Sequence, residues 1–196
     1  VVYAMGAISN KVFKWTMSNG SFIQTPVEIT LNGFTSSGYS PAVYPKGPGN
    51  ANFFVNGNSI LPREYTQAGV EVGSLPSGSV DTRSNSMRYI KSGNREFLIV
   101  FQYGFPNENA KVFEITNGLQ NAVLLETTPP LGENPNTVGT SGDVDYRVFQ
   151  PGIFIYYVLS TNNGFAAYQL VDDYIPVELS SFTASVIDGA VNLFWQ

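Results

Sequence analysis

A phrase of three or four short strands, broken by Gly, Pro and Asn, recurs along this chain of 196 residues. Its plainest copy lies between Gly142 and Leu170 and reads GDVDYRVF, GIFIYYVLST and GFAAYQL. Set in register, the first strand is PAVY, MRYI or VDYR and the second NFFV, FLIVF or IFIYYV. The third is ILPREY, KVFEIT or FAAYQL, and the fourth GVEV or VLLET. With Phe54, Ile99 and Tyr156 as equivalent points, the steps are 45 and 57 residues, and Val2 precedes Phe54 by 52. Four strands in a period of roughly 40–50 residues are what propeller blades require. The second strand lacks in/out alternation, as expected where neighbouring blades cover both of its faces.

Counted along the chain, the phrases hold three, four, four and three strands, so the expected ring is incomplete. More chain, or another subunit, would be needed to close it. In the first phrase, Lys11 to Met17 alternates, with Phe13, Trp15 and Met17 on one face and Lys14 and Thr16 on the other. Ser18-Asn19-Gly20 is a tight-turn signal, because Asn and Gly accept positive φ cheaply. Pro26 cannot donate to a ladder and marks a sheet edge. No stretch carries a helical stripe over even three turns. The fold expected is therefore all-β, made of propeller-like four-stranded antiparallel blades. A β-sandwich is the alternative, since it too uses short strands and frequent turns.

Only 13% of residues are charged, about half of the usual 25%. Asn, Ser, Thr and Gly must make the surface polar, which suits strands and turns better than helices. The net charge is −5 and the ten Lys and Arg residues are scattered, so nucleic-acid binding is disfavoured. No apolar run approaches the ~20 residues of a membrane-spanning helix, and no membrane insertion is expected. There is no Cys and no His. Disulfides, thiolate chemistry, Cys-ligated zinc and any Ser-His-Asp arrangement are thereby excluded.

The remaining chemistry rests on carboxylates, arginines and tyrosines. Asp143 and Asp145 are two apart at a strand start and share a face. Hard oxygen ligands suit Ca²⁺, but the dense Asp/Asn/Gly run of a calcium loop is missing, and turn capping is the plainer role. Asp172 and Asp173 could pair for acid/base chemistry, except that adjacent residues on an extended chain point oppositely. Arg63, Arg88, Arg95 and Arg147 and the eleven tyrosines invite comparison with a sialidase propeller. The S-x-D-x-G-x-T-W box of that family is absent, and Arg88 and Arg147 hold equivalent repeat positions, which suggests a structural role. Asn162-Asn163-Gly164 and the PKGPGN segment read as hairpin turns. Tyr39, Tyr44 and Tyr103 could stack on sugar rings, although tyrosines at blade edges commonly serve packing. No catalytic, cofactor or metal site is assigned.

From Ile175 the texture changes to IPVELSSFTASVIDGAVNLFWQ. Ser181 to Val186 and Val191 to Gln196 alternate around a Asp188-Gly189 hairpin signal, with Trp195 placed to face a sandwich core. Pro176-Val177-Glu178-Leu179-Ser180-Ser181-Phe182-Thr183-Ala184, followed by Val191-Asn192-Leu193-Phe194-Trp195, closely resembles a C-terminal module of exported bacterial proteins. The resemblance is to the linker and first hairpin of the fibronectin-like module in type IX secretion system cargo proteins. The repeats upstream are similar to the propeller-like regions that often precede that module. The resemblance implies 1–173 as propeller-like repeats of about three to four blades, and 174–196 as linker and first hairpin of an Ig/fibronectin-like sandwich.

It also implies a secreted protein at the outer cell surface. The function expected is a structural or binding module with no catalytic activity of its own. Candidate partners are glycans, cell-surface proteins, or further copies joined through open β edges. The alternatives are a polymerising extracellular fibre subunit and a carbohydrate-active enzyme working with carboxylates alone. A buried carboxylate pair with a raised pKa in the propeller mouth would mark the latter.

Overall fold

The computed structural model describes residues 1–34, 41–48, 51–57, 60–81, 84–102, 108–132, 142–172, 182–187 and 190–195. The chain is all-β. Its first sheet orders β1 (Val2–Met5), β2 (Lys11–Trp15) and β5 (Val27–Thr30). A small hairpin, β3 (Met17–Ser18) with β4 (Ser21–Phe22), is inserted before β5. Asn19 and Gly20 at its tip have φ of 48° and 78°, the double positive-φ turn foreseen from the sequence. Residues 23–26 are not in strand, and β5 follows Pro26 as an edge strand.

Two four-stranded meanders come next. The second sheet is β6 (Ala42–Pro45), β7 (Phe53–Gly57), β8 (Ile60–Tyr65) and β9 (Glu71–Ser74). The third is β10 (Ser84–Ser92), β11 (Arg95–Gln102), β12 (Asn109–Glu114) and β13 (Val123–Thr127). One 3₁₀ turn, Leu119–Asn121, sits before β13 against β9. The fourth sheet is β14 (Gly142–Gln150), β15 (Ile153–Ser160) and β16 (Gly164–Val171). Last comes the hairpin of β17 (Phe182–Ile187) and β18 (Ala190–Trp195), which pair with each other. Both strands reach one residue closer to the turn than the sequence indicated. The junction residues and the Asp188-Gly189 turn lie outside the described residues, as do the side chains of the hairpin, Trp195 included.

The strand grouping of three, four, four and three therefore holds, and the sheets stack face against face. One apolar cluster joins the first and second sheets through Val12, Ile29, Phe53, Val55 and Tyr65. A second joins the second and third through Phe54, Met87, Tyr89, Leu98 and Val100. A third joins the third and fourth through Ile99, Phe101, Val112, Val144, Phe154 and Tyr156. The first strands follow one another along one edge of the stack, β6 lying between β1 and β10, and β14 beside β10. Burial along the second strands follows this order. Every residue of β7 is buried, as is β11 from Phe97 to Gln102. In β2 and β15, burial alternates, because each end sheet has one covered face and one open one.

The alternation of Phe13 and Trp15 against Lys14 holds in β2, and one register detail differs from the sequence reading. In β2, Val12 and Lys14 face the core, while Phe13 and Trp15 lie on the outer face and pack with each other and with Phe22. Lys14 tolerates its position because the stem lies on apolar surface while the ammonium donates to Gln67 Oε1 at 2.9 Å. Tyr156, taken as equivalent to Ile99, pairs with Tyr146 and points back to the third sheet. Ile155 opposite Arg147 matches Ile99 opposite Arg88. A slip of one residue exchanges the two faces of a strand.

Candidate functional site

The first-strand edge carries the densest polar chemistry. Arg88 of β10 reaches forward to β14, with Nε 3.2 Å from Asp145 Oδ1 and Nη2 3.4 Å from Asp143 Oδ2. Its Nη1 donates to the Met87 carbonyl at 2.9 Å, and its guanidinium lies 5.2 Å from the centre of the Tyr44 ring of β6. Ser86 donates to Asp143, and the Val144 amide donates to the same carboxylate at 2.9 Å. One guanidinium thus links three consecutive sheets. Asp143 and Asp145 do share a face, but they face an arginine, and a cation would have to displace it to bind. Among the described residues no group of three acidic or metal-ligating side chains converges.

Beside this edge lies a cleft of about 380 Å³ lined by Tyr44, Pro45, Lys46, Tyr89, Lys91 and Tyr146. Burial raises the ionisation of Tyr44 and Tyr146 above the ordinary phenol value, and the charge of Asp145 adds to the rise at both. Tyr89 is raised further, by burial first and then by Glu96. All three therefore stay neutral phenols, able to stack and to exchange hydrogen bonds. Lys46 bridges two carboxylates, 3.3 Å from Glu64 and 2.9 Å from Glu96. Burial acts to lower its ionisation, but the bonds and charges of the two glutamates outweigh it and hold the ammonium charged. The cleft can take a flat ring against its tyrosines.

Lys46 also ties two sheets, since Glu64 belongs to β8 and Glu96 to β11. An equivalent tie joins the third sheet to the fourth. Arg95 binds Glu114 of its own sheet at 2.7 Å and Asp172, just after β16, at 2.6 Å, with its guanidinium 4.9 Å from the Phe97 ring centre. Asp172 is buried and structural, and Asp173 lies outside the described residues. Arg63 pairs with Glu71 at 2.8 Å, and Arg147 lies over Phe149. The four arginines hold separate partners and form no cluster. Tyr39 and Tyr103 fall outside the described residues. Asn162, at φ 67°, and Gly164 form a hairpin turn as expected.

The sequence reading missed Tyr89, Tyr146, Lys46 and Lys91 as companions of Tyr44. It also missed the chemistry of the two end faces. Beyond Arg147, the outer face of the fourth sheet shows Leu159 at 46%, Phe165 at 64% and Val171 at 41% exposure. Tyr157 stacks on Phe165 there. The outer face of the first sheet shows Val2, Phe13, Trp15 and Phe22, which are half-buried or exposed. Among the described residues no helix is long and apolar enough to cross a membrane.

No protein-family model matches the sequence, and no curated protein is significantly similar to it. Among solved structures, a DUF4623 family protein from Bacteroides eggerthii is similar, with a TM-score of 0.65 and 13% identity. The match covers 86% of this chain and 42% of that one. At this identity the likeness concerns the fold. This chain spans less than half the length of the protein that it matches.

Proposed function

We propose that the chain is a structural and binding module without catalytic activity, part of a propeller ring displayed at the outer cell surface. Residues 1–173 supply about three to four blades. Residues 174–196 supply the linker and first hairpin of a fibronectin-like module, as in type IX secretion cargo. The observation that carries this reading is the repeated seam, where each sheet covers the onward face of the one before and the fourth leaves the same face apolar and open. Further sheets of the same kind complete the ring. The greater length of the Bacteroides neighbour is consistent with such a continuation. The edge at Tyr44, Arg88 and Tyr146 is the binding surface.

A fibre subunit is the second reading, favoured by open apolar faces at opposite ends of the stack, which could join head to tail. Light scattering across a wide concentration range, with electron micrographs and a dye that reports exposed apolar surface, separates the two. A dye-binding chain that stays monomeric or forms small oligomers supports the ring module. Filaments support the fibre. A monomer that binds no dye, with both end faces protected from labelling, overturns both.

A further inference from the structure

Arg147, on the open face of the fourth sheet, ends a series of forward-reaching side chains. We infer that it clamps a carboxylate on the first strand of a fifth sheet supplied by the same polypeptide. The inference rests on the reading of the chain as part of a ring and names what the covering sheet must carry. Register places the series. Tyr44 pairs with Phe54, Arg88 with Ile99 and Arg147 with Ile155. Phe54 lies in the seam between the second and third sheets, and Ile99 in the seam between the third and fourth. Directly opposed residues share a face, so each of the three belongs to the onward face of its sheet. Two of them already meet the next first strand. Tyr44 has the Arg88 guanidinium 5.2 Å from its ring centre, and Arg88 reaches Asp143 at 3.4 Å and Asp145 at 3.2 Å. Among the described residues Arg147 has no carboxylate partner, and its guanidinium lies 5.9 Å from the ring centre of Phe149.

The surface around Arg147 matches the seam around Arg88. Phe97, Ile99 and Phe101 are fully buried beneath the fourth sheet, whereas their counterparts Ile153, Ile155 and Tyr157 are only half-buried. A sheet laid over them would take the guanidinium out of water, which is costly without a carboxylate in reach. Asp143 and Asp145 do not serve, because Arg88 holds both. The cover must bring its own acid, and Arg88 shows where. Its two partners stand four and two residues before Arg147 on β14, so the acid belongs two or four residues before the position that matches Arg147. The first sheet of this chain does not offer one, whether from the same copy or a second. Its first strand, Val2–Met5, has no acidic residue. Glu28 shares the outer face with Phe13, but it lies on β5 at the opposite edge, and Lys11 holds it at 2.6 Å. The charge pattern therefore favours a fifth sheet over contact between copies. All three seams seen here join sheets of one polypeptide, and more than half of the Bacteroides neighbour lies outside the match. Both point to the same polypeptide as the source.

The test places photo-reactive benzoylphenylalanine at Phe149, beside Arg147, in the protein at its natural length and sequences the cross-linked peptides. The expected partner is a strand of the same polypeptide, outside these 196 residues, that carries Asp or Glu. Arg147→Glu should then lower the melting temperature of the natural-length protein by several degrees and leave that of the 196-residue chain unchanged. Changing the cross-linked acid to lysine in that variant should restore most of the loss. A cross-link to the first three sheets or to the β17–β18 hairpin, within or between copies, overturns the inference. A partner strand without an acidic residue also overturns it, as does a melting shift that does not differ between the two lengths. In those two cases the ring module stands and only the clamp falls. Cross-links confined to the fourth sheet itself remove both the clamp and the ring reading.

Discussion

Arg95 and Asp172, 77 residues apart in sequence, meet at 2.6 Å across the seam between the third and fourth sheets, and the Asp172 side chain is 3% exposed. Arg95 also serves Glu114, so the two ends of the pair are unequal. Arg95→Met would leave two carboxylates facing each other, one of them buried, and should cost about 3 kcal/mol. Asp172→Asn leaves the guanidinium with Glu114 and should cost clearly less. Urea unfolding of both variants checks the order. Equal losses would show that Asp172 is held chiefly by something other than Arg95.

The same cluster sets an acid limit. Hydrogen bonding from Arg95 lowers the Glu114 pKa from its ordinary 4.5, helped by Thr116 and opposed by burial. A depressed carboxyl pKa contributes stability that is complete above the unfolded value and lost as pH falls through the folded one. Wild-type stability should therefore decline below about pH 4.5, where Glu114 begins to bind a proton as the chain unfolds. Glu114→Gln should be less stable at neutral pH and show a shallower decline. Melting temperatures of both proteins between neutral and strongly acid pH measure it.

Gly142 sets how closely the fourth sheet can approach the third. A Cβ at this position would run into the Leu159 carbonyl and the Phe101 ring. Gly142→Ala should cost about 1–3 kcal/mol by overpacking. Gly69, at φ +74° with the Thr30 carbonyl where its Cβ would be, is expected to be at least as intolerant. Gly20, at a similar φ but with nothing within 4 Å, should tolerate Ala better than either. Differential scanning calorimetry ranks the three.

Strand number and grouping were legible because Gly, Asn and Pro punctuate the chain at nearly every turn, and turns are local chemistry. The faces of the end strands were less so. In KVFKW the alternation was plain but not which face meets the core: burial goes to Val12 and Lys14, since a lysine stem packs well once Gln67 takes the charge. Gln67 lies 53 residues away, beyond any periodicity argument. The same limit hid the Arg88–Asp143–Asp145 bridge, whose partners look in sequence like a turn and a solvated strand. Tyr44 could be picked out as an aromatic platform, but Tyr89 and Tyr146 join it only through the stacking of three sheets.

The two faces of the fourth sheet should respond oppositely to the same kind of substitution. Phe154 points into the seam with the third sheet and is 3% exposed, whereas Phe165 lies on the outer face at 64%. Phe154→Ala removes a packed ring and should cost about 3–5 kcal/mol. Phe165→Ser in this chain should change stability by less than about 0.5 kcal/mol, because little burial is lost. It should also reduce dye binding and any self-association, since Phe165 stacks with Tyr157 at the centre of the open patch. In a longer protein whose next sheet covers that patch, the ring would be buried and the cost of Phe165→Ser should approach that of Phe154→Ala. Unfolding measured on this chain and on the longer protein gives the comparison. A cost that stays small in both would mean that no sheet packs there.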